Sequence, residues 1–193
     1  TKQELIDKFS IEGVGKSSAV FNPDKLLWLN SHYIKNTSTE RIAEFLIPFL
    51  IKKGYLKKED KESIDTLWFK KAIKSLQQRS RTLEEMANSM KYYLLEDIEI
   101  EPKIKNKFLN EKSKPYLNEI LQKFISLNNY NENTIKQIFM DIVKRDNIKL
   151  SKIAQPVRVA VTGTTVGAGI FEVLDIIGKE KTIKRLKKAI NEI

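Results

Sequence analysis

The chain has 193 residues, of which 41% are hydrophobic, and it carries no cysteine, one histidine and a net charge of +10. This length and apolar content predict a folded globular protein of one domain or two small ones. The composition excludes disulfides, thiolate metal sites and a cysteine nucleophile, and no apolar run reaches the roughly 20 residues that cross a bilayer.

The segment before residue 35 is predicted to be a connector that ends in a helix. It begins at Thr1 with neither an initiator methionine nor the apolar core of a signal peptide, so we expect a soluble, cytoplasmic piece of a longer chain. Residues 10–22 show no periodic pattern. Asn22 followed by Pro23 is typical of a helix start, and three leucines continue that helix.

Helical spacing of apolar residues dominates residues 35–100. The clearest helix is predicted to run from a capping box at residues 37–40 (TSTE) to Gly54, a residue suited to close a helix. A second capping box at residues 82–85 (TLEE) predicts another helix. The apolar positions of these helices, and of one more between them, are Ile42, Phe45, Leu46, Phe49, Leu50, Ile64, Leu67, Trp68, Leu83, Met86, Met90 and Leu94.

A joint is predicted at residues 98–102, where acidic residues and Pro102 break the helical period. Beyond the joint, the same spacing predicts helices around residues 117–124, 135–142, 150–161, 170–174 and 183–190. The chain has no Asn-Gly or Asp-Gly pair, so tight hairpins are disfavoured. The fold class is therefore predicted to be all-α, with a subdomain boundary at the joint.

Two glycine-containing segments imitate nucleotide-binding motifs but lack the required context. For residues 13–17 (GVGKS), the first glycine position of a P-loop holds Ser10, and no buried strand precedes it. For residues 163–169, Glu172 stands where a dinucleotide fingerprint needs its third glycine. No serine has a histidine partner and no carboxylate pair stands out, so we predict no catalytic residue, metal site or cofactor in this chain.

The positive charge is concentrated in the second half, where residues 101–193 hold 18 basic and 10 acidic side chains. Such a surplus attracts polyanions, although an AT-rich genome that enriches lysine is an alternative source of the charge. Arg79, Arg81 and Arg158 fall at predicted helix ends or in loops. Guanidinium groups there can read unpaired RNA bases or phosphates, and the alternative is a plain surface charge.

The last predicted helix carries a basic face that is a candidate for phosphate contacts, with a solvated surface as the alternative. Its members are Lys181, Lys184, Arg185 and Lys188. Trp28 and Trp68 lie on apolar helix faces and are predicted to pack in the core rather than to stack on bases. His32 is predicted to be a packed or surface residue, not a metal ligand.

Several segments resemble bacterial glutamyl-tRNA synthetases. Residues 150–163 (LSKIAQPVRVAVTG), 169–174 (GIFEVL) and 178–180 (GKE) resemble the C-terminal segment of that family. Residues 14–30 (VGKSSAVFNPDKLLWLN) resemble the connector that follows its class I catalytic domain, and residues 78–83 (QRSRTL) resemble its first anticodon-binding motif. The resemblance covers essentially the whole chain in the family's order.

The resemblance implies a fold, and it implies that tRNA binding and catalysis lie in different domains. It implies two consecutive helical subdomains of the anticodon-binding helical cage type at residues 35–100 and 101–193, preceded by a remnant of the stem-contacting connector at residues 1–34. The catalytic domain that uses ATP and magnesium lies upstream in the family. The chain alone should therefore be inactive, monomeric and free of cofactors.

The resemblance also implies the RNA contacts. Arg79 would contact the third anticodon base of tRNA-Glu, and Arg158 would meet the first two bases together with the loop Gly167, Ala168, Gly169 and Ile170. Arg81 is a further candidate phosphate contact. The family often has Thr-Pro-Gly or Ser-Pro-Gly where this chain has Gly167-Ala168-Gly169, so side-chain contacts from this loop are in question. The match at Arg79 favours tRNA-Glu, and acceptance of tRNA-Gln stays open.

A protein of another class remains an alternative at this point. A helical protein-interaction scaffold with incidental basic charge would show the same composition and periodicity. It would bind any polyanion equally, whereas an anticodon-binding module would prefer one stem–loop.

Overall fold

The computed structural model describes residues 2–15, 20–61 and 65–193. Within those ranges the secondary structure is helical without a strand, which confirms the all-α prediction. The α-helices are α1 (Lys2–Lys8), α2 (Pro23–Asn36), α3 (Thr39–Lys52), α4 (Thr66–Gln77), α5 (Leu83–Leu94), α6 (Pro102–Phe108), α7 (Lys114–Ser126), α8 (Glu132–Asp146), α9 (Ser151–Thr162), α10 (Ile170–Ile177) and α11 (Lys179–Asn191). A 3-10 turn lies at Glu59–Lys61. Residues 16–17 of the GVGKS segment and Ile64 lie outside the described residues.

The predicted helix starts are confirmed with one correction. Asn22 caps α2, and the Thr82 hydroxyl caps α5 by accepting from the Glu85 amide at 3.0 Å. Helix α3, however, is capped by Ser38, whose hydroxyl accepts from the Arg41 amide, and not by Thr37. The prediction placed the cap one residue early because Thr37 ends α2, where its hydroxyl donates to a carbonyl of that helix.

Helix α3 ends at Gly54 in the predicted way. Gly54 has a φ of 71°, in the left-handed region that glycine adopts without steric cost. The amide of Tyr55 then donates to the Leu50 carbonyl at 2.9 Å, which satisfies an end carbonyl of the helix.

The buried residues form one hydrophobic cluster that spans the predicted boundary near residue 100. Helix α10 packs against α4 and α5, so elements from both sides of the joint share this core. The Trp68 indole nitrogen donates to the Ile176 carbonyl at 2.8 Å, and Lys71 pairs with Asp175 at 2.5 Å. The division into residues 1–34, 35–100 and 101–193 stays a prediction.

Residues 95–101 lie outside helices, and Ile98 and Glu99 in this segment lie against the end of α9. Helix α9 is closed by Gly163, which has a φ of 73°. A Cβ atom on Gly163 would lie 2.5 Å from the carbonyl oxygen of Glu99. Glycine is therefore required here both for the backbone conformation and for the close approach of the joint.

The two tryptophans differ in their environment. Trp68 packs against the hydrophobic cluster, as predicted. Trp28 does not, because its side chain is 66% exposed on α2, where its ring stacks on that of His32 at a centroid distance of 6.0 Å. The prediction of a buried Trp28 is wrong, since the described residues provide no helix that covers this face of α2.

Candidate nucleic-acid interface

Arg158 on α9 is bonded to the loop that connects α9 with α10. We call residues 167–170 the recognition loop. The Arg158 guanidinium donates to the Ala168 carbonyl oxygen at 2.9 Å, and burial lowers the pKa of that guanidinium. A Cβ on Gly167 would lie 3.3 Å from the Arg158 guanidinium, and the Gly167 φ of 151° is one that other residues rarely adopt. Arg158 therefore shapes the predicted recognition loop as well as lying beside it.

The turn between α4 and α5 faces this loop. Arg79 is exposed directly after α4, and Arg81 forms an ion pair with Glu85 at 2.7 Å. Both arginines line a cleft of about 490 Å³ whose opposite wall includes Val166 and Gly167. The structure thus brings together predicted site residues that are separated by more than 80 positions in the chain.

The remaining predicted loop residues contribute differently. Ala168 and Ile170 are buried, at 1% and 7% exposure, whereas Gly169 is exposed at the start of α10. Ala168 and Ile170 are therefore placed to shape the loop backbone rather than to present side chains. Sequence reasoning did not select Val166, which is 77% exposed at the tip of the loop.

Arg79 also lines a second cleft. Its walls are the α2–α3 turn at residues 35–39, the end of α4 with Lys74 and Gln78, and Glu172 in the first turn of α10. Glu172 was not among the predicted site residues, because acidic side chains are common in this chain and only the fold places this one beside Arg79.

Three polar groups of this region, the Glu172 carboxylate, the Arg79 guanidinium and the Tyr92 hydroxyl, make no ion pair or side-chain hydrogen bond with a described residue. Glu172 is half-buried, and its pKa is raised by burial and by the nearby Glu132, while Arg79 opposes that shift. The buried Tyr92 hydroxyl has no hydrogen-bond partner and lies 3.6 Å from where a Gly167 Cβ would be. Burial raises the pKa of Tyr92 to about 12, so its hydroxyl stays protonated at neutral pH.

The predicted basic face of α11 requires a correction. Arg185 is only 3% exposed, and its guanidinium donates to the carbonyls of Tyr92, Leu95, Glu96 and Val161 at 2.6–3.3 Å. Burial lowers the pKa of this guanidinium to about 10. The prediction that Arg185 contacts phosphate is wrong, because its donors are used to join the ends of α5 and α9 through the joint.

Of the three lysines of that face, Lys184 and Lys188 are exposed and Lys181 is partly buried, and all three have acidic neighbours. Lys181 and Lys184 pair with Glu96 at 3.3 and 3.4 Å, and Lys188 pairs with Asp97 at 2.9 Å. These ion pairs reduce the net positive charge of the face. Phosphate contacts by the three lysines stay a prediction.

The raised pKa of Glu172 has a measurable effect on stability. Because the folded-state pKa lies above the unfolded one, ionised Glu172 destabilises the fold at neutral pH, and this penalty disappears as the pH falls through the folded-state pKa. We expect Glu172→Gln to be as stable as the wild type or more stable at pH 7, by less than about 1 kcal/mol for this partly solvated group. Urea unfolding at pH 7 and pH 4 measures the difference, which should shrink at the lower pH. A clear loss of stability at pH 7 would contradict the unpaired state of Glu172.

The described residues contain neither a membrane-spanning helix nor a cluster of metal ligands. No helix there is both long and apolar enough to cross a membrane. No group of three or more histidine, cysteine or acidic side chains in the same part of the chain could hold a metal ion.

Comparison with known proteins points to one family. Residues 41–190 match the family model described as an anticodon binding domain. The chain is 53% identical over 191 residues to a glutamate–tRNA ligase of Thermodesulfovibrio yellowstonii and covers 99% of itself and 41% of that protein. It is 42% identical over 193 residues to a glutamate–tRNA ligase of Syntrophobacter fumaroxidans and covers 40% of that protein. The chain thus spans about two fifths of the length of these relatives.

Solved structures show the same fold. A crystal structure of a glutamate tRNA ligase from Elizabethkingia meningosepticum, in complex with its amino acid, superposes with a TM-score of 0.81 at 22% identity. A glutamate-tRNA synthetase from Elizabethkingia anophelis superposes with a TM-score of 0.77 at 22% identity. Each match covers 98% of this chain and 36% of the other.

Proposed function

The chain belongs to the anticodon-binding domain family and matches that region of glutamate–tRNA ligases, and on this basis we propose that it selects tRNA-Glu by its anticodon. In this proposal Arg79 contacts the third anticodon base. Arg158 and the loop at residues 167–170 meet the first two bases. The unpaired bases of an anticodon loop suit recognition by guanidinium and backbone groups.

The observation that carries the proposal is the convergence of Arg79 and Arg158 on the recognition loop. Arg79 stands in a cleft lined also by Gly167, and Arg158 binds the backbone of the same loop. The charges of both arginines lower the pKa of Tyr92, which indicates that both guanidinium groups lie near its hydroxyl. Two guanidinium groups beside a loop with exposed backbone offer several donors to splayed bases.

The proposal also covers what the chain does within a larger protein. A catalytic domain upstream would attach glutamate with ATP and magnesium, and this chain would supply tRNA selection without catalysis. We propose a monomeric, cytoplasmic protein on the same grounds. Acceptance of tRNA-Gln in addition to tRNA-Glu is open to the same binding assay.

Substitution of the two arginines tests the residue assignments. We expect Arg79→Ala and Arg158→Ala each to weaken binding of a tRNA-Glu anticodon stem–loop by about 1–3 kcal/mol. Arg158→Ala should act more broadly over the bases, because it also releases the recognition loop from its bond to Ala168. Titration of labelled stem–loops at two salt concentrations measures the affinity and the electrostatic contribution to the binding free energy.

The matched control is Arg145→Ala, which removes the same charge from α8. Arg145 is held by Glu119 and Asp146 and does not line either cleft. If Arg145→Ala weakened binding as much as Arg79→Ala does, only overall charge would matter and the assignments would be wrong. Equal affinity for any polyanion of the same length would instead favour a protein-interaction scaffold.

A further inference from the structure

The second cleft contains two opposite charges that do not form an ion pair with each other. The Glu172 carboxylate and the Arg79 guanidinium both line it, and neither makes an ion pair or a side-chain hydrogen bond with any described residue. The two groups are nevertheless close enough for Arg79 to lower the pKa of Glu172 against the effect of burial.

Neighbouring carboxylates behave differently. Asp175, one turn further along α10, pairs with Lys71 at 2.5 Å, and Glu85 on α5 pairs with Arg81 at 2.7 Å. A half-buried carboxylate without a partner costs free energy, because it loses water contacts and gains no bond in exchange. Glu172 is therefore the carboxylate of this region that is left available to a ligand.

The wall formed by the α2–α3 turn is held in place by the protein itself. The side-chain amide of Gln77, which is 7% exposed, donates to the Ile34 and Thr37 carbonyls at 2.8 and 2.6 Å. These bonds fix the α2–α3 turn against the end of α4. The cleft is thus a preformed slot, with an acceptor on one side, a donor on another and a fixed polar wall.

A nucleotide base fits this arrangement of charges. A carboxylate only accepts hydrogen bonds and a guanidinium only donates them, so together they match a base edge that carries an amino group beside acceptor atoms. Cytosine has such an edge, with its N4 amino group next to N3 and O2, and a carboxylate is a suitable acceptor for N4. Uracil places a carbonyl oxygen where cytosine has the amino group, and that oxygen would face the carboxylate without a proton between them.

We propose that Glu172 accepts a hydrogen bond from the amino group of the anticodon base contacted by Arg79, and so selects cytosine over uracil at that position. This inference rests on the proposed function, in which Arg79 contacts the third anticodon base. Glutamate codons begin with guanine, so the third anticodon base of a tRNA-Glu is cytosine. Glu172 rejects tRNAs with uracil there, and Arg79 supplies the donors to N3 and O2.

The test compares stem–loops that differ only in the third anticodon base. The 193-residue chain is titrated with a tRNA-Glu anticodon stem–loop and with the same RNA carrying uracil at that base. We expect the wild type to prefer cytosine by about 5- to 150-fold. Glu172→Gln should reduce this preference below about 3-fold, because the amide both accepts from cytosine and donates to uracil. Its preferences at the first two bases should not change.

Glu132→Gln is the matched control, because Glu132 is exposed and acts on Glu172 only through its charge. This variant should keep the wild-type preference for cytosine. If Glu172→Gln also kept it, the inference would be overturned while the proposed function stood. If the wild type bound the tRNA-Glu stem–loop no better than an unrelated stem–loop, the proposed function and the inference would both fall.

Discussion

Arg185→Ala is expected to destabilise the chain by about 3–5 kcal/mol, because it leaves buried carbonyl oxygens without a donor. The Arg185 guanidinium serves four carbonyls at the ends of α5 and α9 and in the joint, and the side chain is almost fully buried. Urea unfolding followed by circular dichroism measures the loss. In a chain of this size it corresponds to a fall in melting temperature of about 10 °C.

Two further variants separate this role from charge alone. Arg185→Lys keeps the charge but concentrates its donors at one point, so it should recover only part of the stability. Lys184→Ala removes the neighbouring exposed charge, which pairs with Glu96 at 3.4 Å, and should change stability by less than about 0.5 kcal/mol. A loss for Arg185→Ala no larger than for Lys184→Ala would show that the buried bonds do not hold the joint.

Gly163→Ala is expected to cost about 3 kcal/mol, the second large effect. The left-handed backbone of Gly163 accounts for about 1 kcal/mol of this loss in a residue with a side chain. The rest comes from the Cβ, which would meet the Glu99 carbonyl at 2.5 Å and force the joint away from α9. The same urea assay measures it.

Gly54→Ala isolates the backbone contribution. Gly54 has a φ of 71°, close to that of Gly163, but a Cβ there would have nothing within 4 Å. It should therefore lose only about 1 kcal/mol. Equal losses in the two variants would mean that the joint yields to the added methyl group without cost.

Local patterns were sufficient to predict most helices. The capping residues Asn22 and Thr82 and the closing residue Gly54 act through bonds to amides and carbonyls a few positions away, so the sequence contains the whole interaction. Helix α6 was missed, because seven residues with few apolar positions give no periodic pattern. The cap of α3 was predicted at Thr37 and lies at Ser38, because either of these adjacent hydroxyls fits the capping pattern.

The errors in the candidate site have a different origin. An arginine among lysines on a helix is expected at the surface, and Arg185 is buried only because distant carbonyls of the joint converge on it. Glu172 gains its importance from Arg79, which is 93 positions away in the sequence, and no local pattern links the two residues. The resemblance to a known family found Arg79 and Arg158, whereas the unpaired carboxylate required the fold.

The packing of α10 against α4 and α5 has a consequence for the order of events during synthesis. The two sides of the cleft between Arg79 and Gly167 are separated by about half of the chain, and Arg185 of α11 joins the ends of α5 and α9 beside it. Contacts so distant in sequence form late, because closing a long loop costs conformational entropy. In a nascent chain on the ribosome, α4 and α5 can therefore form well before the cleft, which also requires α9, α10 and Arg185 of α11.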